Sequence, residues 1–120
     1  MSSRESVRSR LLKPLEFLVL AVLADERLHG YGLVKAIEER TAGRVRVRPG
    51  NLYRVLDRLI DAGLVVEEPA DGQPSGGGER TRLFLLTAAG RRAAASEARL
   101  LSDVIEGSRV LRRALQKGRG

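Results

Sequence analysis

The sequence predicts a mostly α fold with one small β-hairpin, and three observations carry that reading. Apolar residues recur at helical spacing in four separate stretches. Two short apolar runs, residues 64–68 and 82–86, flank the segment PADGQPSGGGER, whose two prolines and four glycines forbid helix. Between the third helical stretch and the first of those runs there is no linker. Residues 47–66, VRPGNLYRVLDRLIDAGLVV, pass from helix straight into strand. A helix entering a hairpin in this way is the pattern of a winged helix-turn-helix domain. The long helical pattern that follows is expected to serve as a C-terminal dimerisation helix.

Each element has a local cause. Residues 1–13 carry Arg4, Arg8, Arg10 and Lys13 against Glu5, and read as a basic arm or short helix, with Ser2 and Glu5 as a capping box. In residues 14–24 Pro14 suits a first helical turn, and Leu15, Phe17, Leu18, Leu20, Ala21, Val22 and Leu23 are apolar nearly all round. A central core helix is expected there. Residues 30–40 place Leu33, Val34, Ile37 and the ring of Tyr31 on an inner stripe, with Lys35, Glu38, Glu39 and Arg40 toward water. Thr41-Ala42-Gly43 closes that helix, and Val45 and Val47 then alternate with Arg44, Arg46 and Arg48 in an extended stretch.

The third helix opens at Pro49. Its apolar stripe is Leu52, Val55, Leu56, Leu59 and Ile60, and Gly63 ends it as a C′ glycine. After the hairpin Thr87 caps a helix expected to run to about Leu115, weakened at Gly107 by about 1 kcal/mol relative to alanine. This gives three parts: an arm over residues 1–13, a winged helix over 14–87, and a dimerisation helix with a tail over 88–120.

Composition narrows the function. The chain has 120 residues, 42% hydrophobic and 31% charged, which fits one globular domain with a modest core. Lys and Arg number 22 against 15 Asp and Glu, a net charge of +7 that favours a polyanionic partner. The absence of cysteine excludes disulfides and thiolate metal sites, and with no leader pattern it fits a cytoplasmic location without membrane insertion. One histidine leaves no histidine-rich zinc site. With no glycine-rich phosphate loop and no paired-acid motif, the chain is not expected to be an enzyme or to hold a cofactor or metal.

The candidate site lies on the third helix. Asn51, Arg54 and Arg58 share one face, and asparagine can pair with an adenine edge while arginine forks onto guanine. The alternative is a solvated face with Arg54–Asp57 or Arg58–Asp61 ion pairs. Arg48 sits where free helix N–H groups and the dipole favour phosphate. Lys35 and the hydroxyl of Tyr53 are further phosphate candidates, as are Arg80 and Arg82 on the wing. Arg44 and Arg46 are equally consistent with a charged edge. His29 is read as structural.

Several short motifs stand in an order that resembles the PadR family of transcriptional regulators, the short kind with a single C-terminal helix. They are Leu15-Glu16-Phe17-Leu18, His29-Gly30-Tyr31-Gly32, Pro49-Gly50 with Leu52-Tyr53, Gly63-Leu64, and Leu86-Thr87 with Gly90, covering roughly two-thirds of the chain. Asn51 stands where the family commonly has threonine or serine, Arg48 where it has serine, and Leu83-Phe84-Leu85 where it carries tyrosines. The resemblance implies a dimeric repressor of double-stranded DNA, often released by a small hydrophobic or phenolic molecule.

The apolar side of the last helix (Leu100, Leu101, Val104, Ile105, Leu111 and Leu115) has no evident home in so small a monomer. A twin helix would bury it, and the homodimer would read an inverted repeat. Phe17 and Leu18 would line a groove for the effector. The competing reading is a winged-helix protein-interaction module without specific DNA binding.

Overall fold

The computed structural model describes residues 11–69 and 82–119. The expected arm (residues 1–10), the wing tip with Arg80, and Gly120 lie outside the described residues. The order is α1 (Pro14–Leu23), β1 (Leu28–His29), α2 (Gly30–Arg40), α3 (Pro49–Asp61), β2 (Val65–Pro69), β3 (Arg82–Leu86), α4 (Ala88–Glu106) and α5 (Arg109–Arg119). The fold is a winged helix: mostly helical, with one small antiparallel sheet. The hairpin is joined by a third short strand, giving the order β1-β3-β2. Leu28 lies opposite Phe84, and Val65 opposite Leu86. Two residues of β1 carry too little pattern to read as a strand in isolation.

The helix boundaries follow capping chemistry. Pro14 and Pro49 both occupy first-turn positions. Glu16 accepts a 2.8 Å hydrogen bond from the Lys13 backbone N–H, satisfying one donor at the start of α1. α3 ends in a Schellman motif, with Gly63 at φ +79° and the Leu64 N–H donating to the Leu59 carbonyl at 2.9 Å. Thr87 accepts from the Gly90 N–H at 2.9 Å and donates its hydroxyl to the Gly63 carbonyl at 2.7 Å. That one side chain therefore ties the start of α4 to the end of α3.

Two expectations change. The helical pattern over residues 88–115 is divided: α4 ends at Glu106, Gly107 is its C-cap, and the Ser108 hydroxyl accepts from the Leu111 N–H at 3.1 Å to start α5. A glycine followed by a good N-cap residue makes this break inexpensive. Tyr31 does not belong to the inner stripe of α2; it is 73% exposed. Leu33 and Ile37 fill that stripe with no exposed area, and the phenol at the first turn of α2 points to water instead.

The core forms where α1, α2, α3 and the sheet meet. Val19, Leu20, Leu33, Ile37, Leu52, Leu56 and Phe84 have no measurable exposure. Burying each such side chain contributes roughly 1.5–3 kcal/mol. Among the described residues no polar or charged side chain is buried. Val47 is buried and Val45 half-buried in the linker before α3, so the alternation there holds without a strand.

Candidate nucleic-acid interface

α2 and α3 form the helix-turn-helix, and α3 turns its apolar stripe wholly inward. Leu52, Val55, Leu56 and Leu59 are buried, which commits Asn51, Arg54, Asp57 and Arg58 to the outer face. Helical spacing sets Asn51, Arg54, Arg58 and Asp61 on one stripe. The acid at its far end favours DNA contact by the N-terminal half.

That half is well provided with donors. Arg48 is the N-cap residue, makes no side-chain cap, and is exposed. The Leu52 N–H reaches the Arg48 carbonyl at 2.9 Å, leaving the Gly50 and Asn51 amides as the orphan donors of the first turn. A Cβ built at Gly50 meets nothing within 4 Å, so the protein's own packing does not require glycine there. Arg48, Asn51 and Arg54 have no ion pair or side-chain partner among the described residues.

The other expected residues are differently engaged. Arg58 leans on Glu16 of α1, Nε to Oε2 3.5 Å, with the carboxylate side chain only 15% exposed. Neither ion pair of the alternative reading, Arg54–Asp57 or Arg58–Asp61, forms. Lys35 is exposed and stands 5.9 Å over the ring of Tyr31. Arg46 pairs with Glu38 at 3.4 Å, and the Arg44 Nε donates to the Thr41 carbonyl at 3.3 Å. Tyr53 is half-buried: a Cβ at Gly30 would sit 2.7 Å from its Cζ and closer still to its hydroxyl. The phenol thus lies against the α2 N-terminus. His29, Gly30, Tyr31, Gly32, Val34, Pro49 and Tyr53 line a cleft of about 550 Å3 there.

Arg82 is the most heavily engaged of the set. Its Nε and Nη2 donate to the two oxygens of Glu67 at 2.9 and 2.7 Å. Its guanidinium lies 5.3 Å from the Tyr53 ring centroid and 5.4 Å from that of Phe84. Hydrogen bonding to Glu67 holds its pKa above the ordinary arginine value. Glu67 and Glu16 were both missed in the sequence. Strand alternation signals Glu67, which lies two residues from buried Val65 and diagonal to Arg82 on the same sheet face. Nothing local signals the pairing of Glu16 with Arg58, because the partners are 42 residues apart.

Phe17 and Leu18 are half-buried on α1, with Leu18 packed against the core. On the C-terminal helices Leu100, Leu101, Val104, Leu111 and Leu115 are 41–56% exposed, and Ile105 is half-buried.

A three-stranded winged helix with an outward arginine-bearing helix defines a protein of the winged-helix DNA-binding class. The chain belongs to the PadR-like family of transcriptional regulators, whose family model matches residues 19–96; such regulators are not enzymes. It is 42% identical over 95 residues, 76% of its length, to an uncharacterised 37.1 kDa protein of a Streptomyces fradiae transposon. The chain spans about a quarter of the length of the curated relatives it matches. RosR of H. salinarum superposes with a TM-score of 0.65 over 91% of both chains at 25% identity. PadR of Bacillus subtilis, solved in complex with operator DNA, has a TM-score of 0.59 over 70% of this chain and 46% of its own, at 18% identity. Among the described residues no helix is long and apolar enough to cross a membrane.

Proposed function

We propose that the protein is a homodimeric repressor that reads an inverted-repeat operator in double-stranded DNA through α3. The observation that carries this is the N-terminal half of α3. Arg48, Asn51 and Arg54 stand exposed and uncommitted on a helix whose other face is core. Asn51 and Arg54 supply base contacts; Arg48 and Lys35 supply phosphate contacts, aided by the Gly50 and Asn51 amides. Arg58 contributes less, because Glu16 offsets part of its charge.

Dimerisation is supported by the exposed apolar side of α4 and α5, and two-fold symmetry sets two α3 helices about one DNA turn apart. A small hydrophobic or phenolic effector would bind where α1, through Phe17 and Leu18, adjoins the dimer helices. A basic patch without specificity would serve the competing reading, a protein-interaction module.

The test is fluorescence anisotropy with DNA from the gene's own upstream region and a scrambled duplex, at two salt concentrations. The native duplex binds tighter, and Arg54→Ala lowers that preference while Arg48→Ala weakens both duplexes alike. Equal binding of both duplexes, abolished by salt, refutes the repressor reading and favours the interaction module.

A further inference from the structure

We propose that Arg82 is a positioning residue that braces the wing against the recognition helix, and so sets the angle at which the two meet DNA. The proposal rests on the DNA-binding reading for its consequence and on geometry for the brace itself.

Arg82 is the first residue of β3, and three other elements converge on it. Its side chain forks onto Glu67 of β2 through two parallel hydrogen bonds of 2.9 and 2.7 Å. Its guanidinium covers the ring of Tyr53, which belongs to α3, and that of Phe84, the buried anchor of the sheet. Its carbonyl accepts from the His29 Nδ1–H at 3.3 Å, which joins β1, the strand leading into α2. The two rings themselves meet at 6.2 Å with a 56° tilt. Alternation explains why: Val65, Glu67, Phe84, Leu86 and Arg82 all lie on the core-facing side of the hairpin. Arg82 and Pro69 are the outermost described pair on that side, and Arg82 reaches back diagonally to Glu67.

The chemistry fits a brace better than a phosphate ligand. The Arg82 side chain is only 29% exposed, and two of its five N–H donors are held by Glu67. A bidentate fork fixes direction as well as distance, and a flat guanidinium stacks on aromatic faces where a lysine ammonium does not. A partly exposed pair adds little to global stability. What it fixes is the orientation of the outer end of a narrow hairpin, beyond the Tyr53–Phe84 contact that joins the hairpin to α3. Glu67 would repel a phosphate backbone if it were released.

The experiment uses the full chain with Arg82→Lys, Glu67→Gln and, as a charge-matched control, Glu68→Gln on the exposed opposite face of β2. Amide hydrogen exchange without DNA and anisotropy with the upstream and scrambled duplexes are measured on each. Both brace variants speed exchange in β2 and β3 while the helices keep wild-type exchange. Both weaken upstream-DNA binding about three- to tenfold. Glu67→Gln does so although it makes the protein more positive; Glu68→Gln does not weaken it. A Glu67→Gln variant that binds tighter, as added charge alone predicts, overturns the proposal. So does wild-type hairpin exchange in both brace variants. If the wild type does not distinguish the duplexes, the repressor reading fails, and the exchange data alone decide the brace.

Discussion

Gly90→Ala tests the junction between the winged helix and the C-terminal helices. Gly90 is in the first turn of α4, and a Cβ there would collide with the Leu64 carbonyl oxygen, stand 3.0 Å from its carbon and 2.7 Å from Leu86 Cδ1. Leu86 can rotate away. The carbonyl cannot, because it accepts the Thr87 N–H at 3.1 Å and follows the Schellman turn of α3. Relief therefore requires α4 to lift off, straining the Thr87 hydrogen bonds to Gly63 and Gly90. Overpacking costs about 1–3 kcal/mol and a weakened hydrogen bond about 1, while alanine regains about 1 in helix propensity. The expected net loss is about 2 kcal/mol, or about 8 °C in Tm for a chain of 120 residues. Thermal melts at one fixed protein concentration measure it. Gly107→Ala is the control: its Cβ finds nothing nearer than 3.4 Å, so its Tm should hold or rise. A Gly90→Ala Tm at or above wild type would refute the argument from packing.

Ala42 ends α2 at φ +54°, a conformation that costs an L-residue about 1 kcal/mol. Ala42→Gly should raise stability by about 0.5 kcal/mol in urea unfolding, and a loss would show that the turn is not strained. Leu111→Lys, on the exposed side of α5, should leave the monomer's circular dichroism intact and weaken self-association by at least about 100-fold in sedimentation equilibrium. An unchanged dimer would move the interface elsewhere. Glu16→Gln keeps an acceptor for the Lys13 N–H but releases Arg58. Stability should change by less than about 1 kcal/mol, and affinity for scrambled DNA should rise; no rise would make Arg58 a tether between α1 and α3.

Most of the fold was legible because its signals are local. The prolines at 14 and 49, the glycine at 63 and the Thr87 cap each act within one helical turn, and each bounds an element where expected. The amphipathic stripe of α3 predicted its buried side chains because four residues at helical spacing leave a single way to face a core. The failures are of other kinds. β1 depends on pairing with residues 54 and 56 positions away, which no two-residue pattern announces. Tyr31 is large and aromatic, which suggests core, but its position on α2 lies off the Leu33–Ile37 stripe. The division at Gly107 turns on a competition between one long helix and a capped restart, and Ser108 tips it.

The same distinction separates the arginines. The sequence gives each of them one charge and similar reach, so charge counting treats Arg48, Arg54, Arg58 and Arg82 alike. The fold does not. Arg40, Arg46, Arg58 and Arg82 meet Asp25, Glu38, Glu16 and Glu67, and each meeting joins separate elements or the two ends of a turn. An arginine already paired with a carboxylate has part of its charge offset and fewer donors to give, so its net gain on binding a phosphate is smaller. Arg48 and Arg54 face no such exchange. On the proposed reading their contribution to affinity is therefore larger than their share of the net charge of +7 suggests. It is also concentrated within two turns of the α3 N-terminus, where the helix dipole adds to it. Under that proposal specificity depends on aiming one short segment of helix, while the paired arginines join the elements around it.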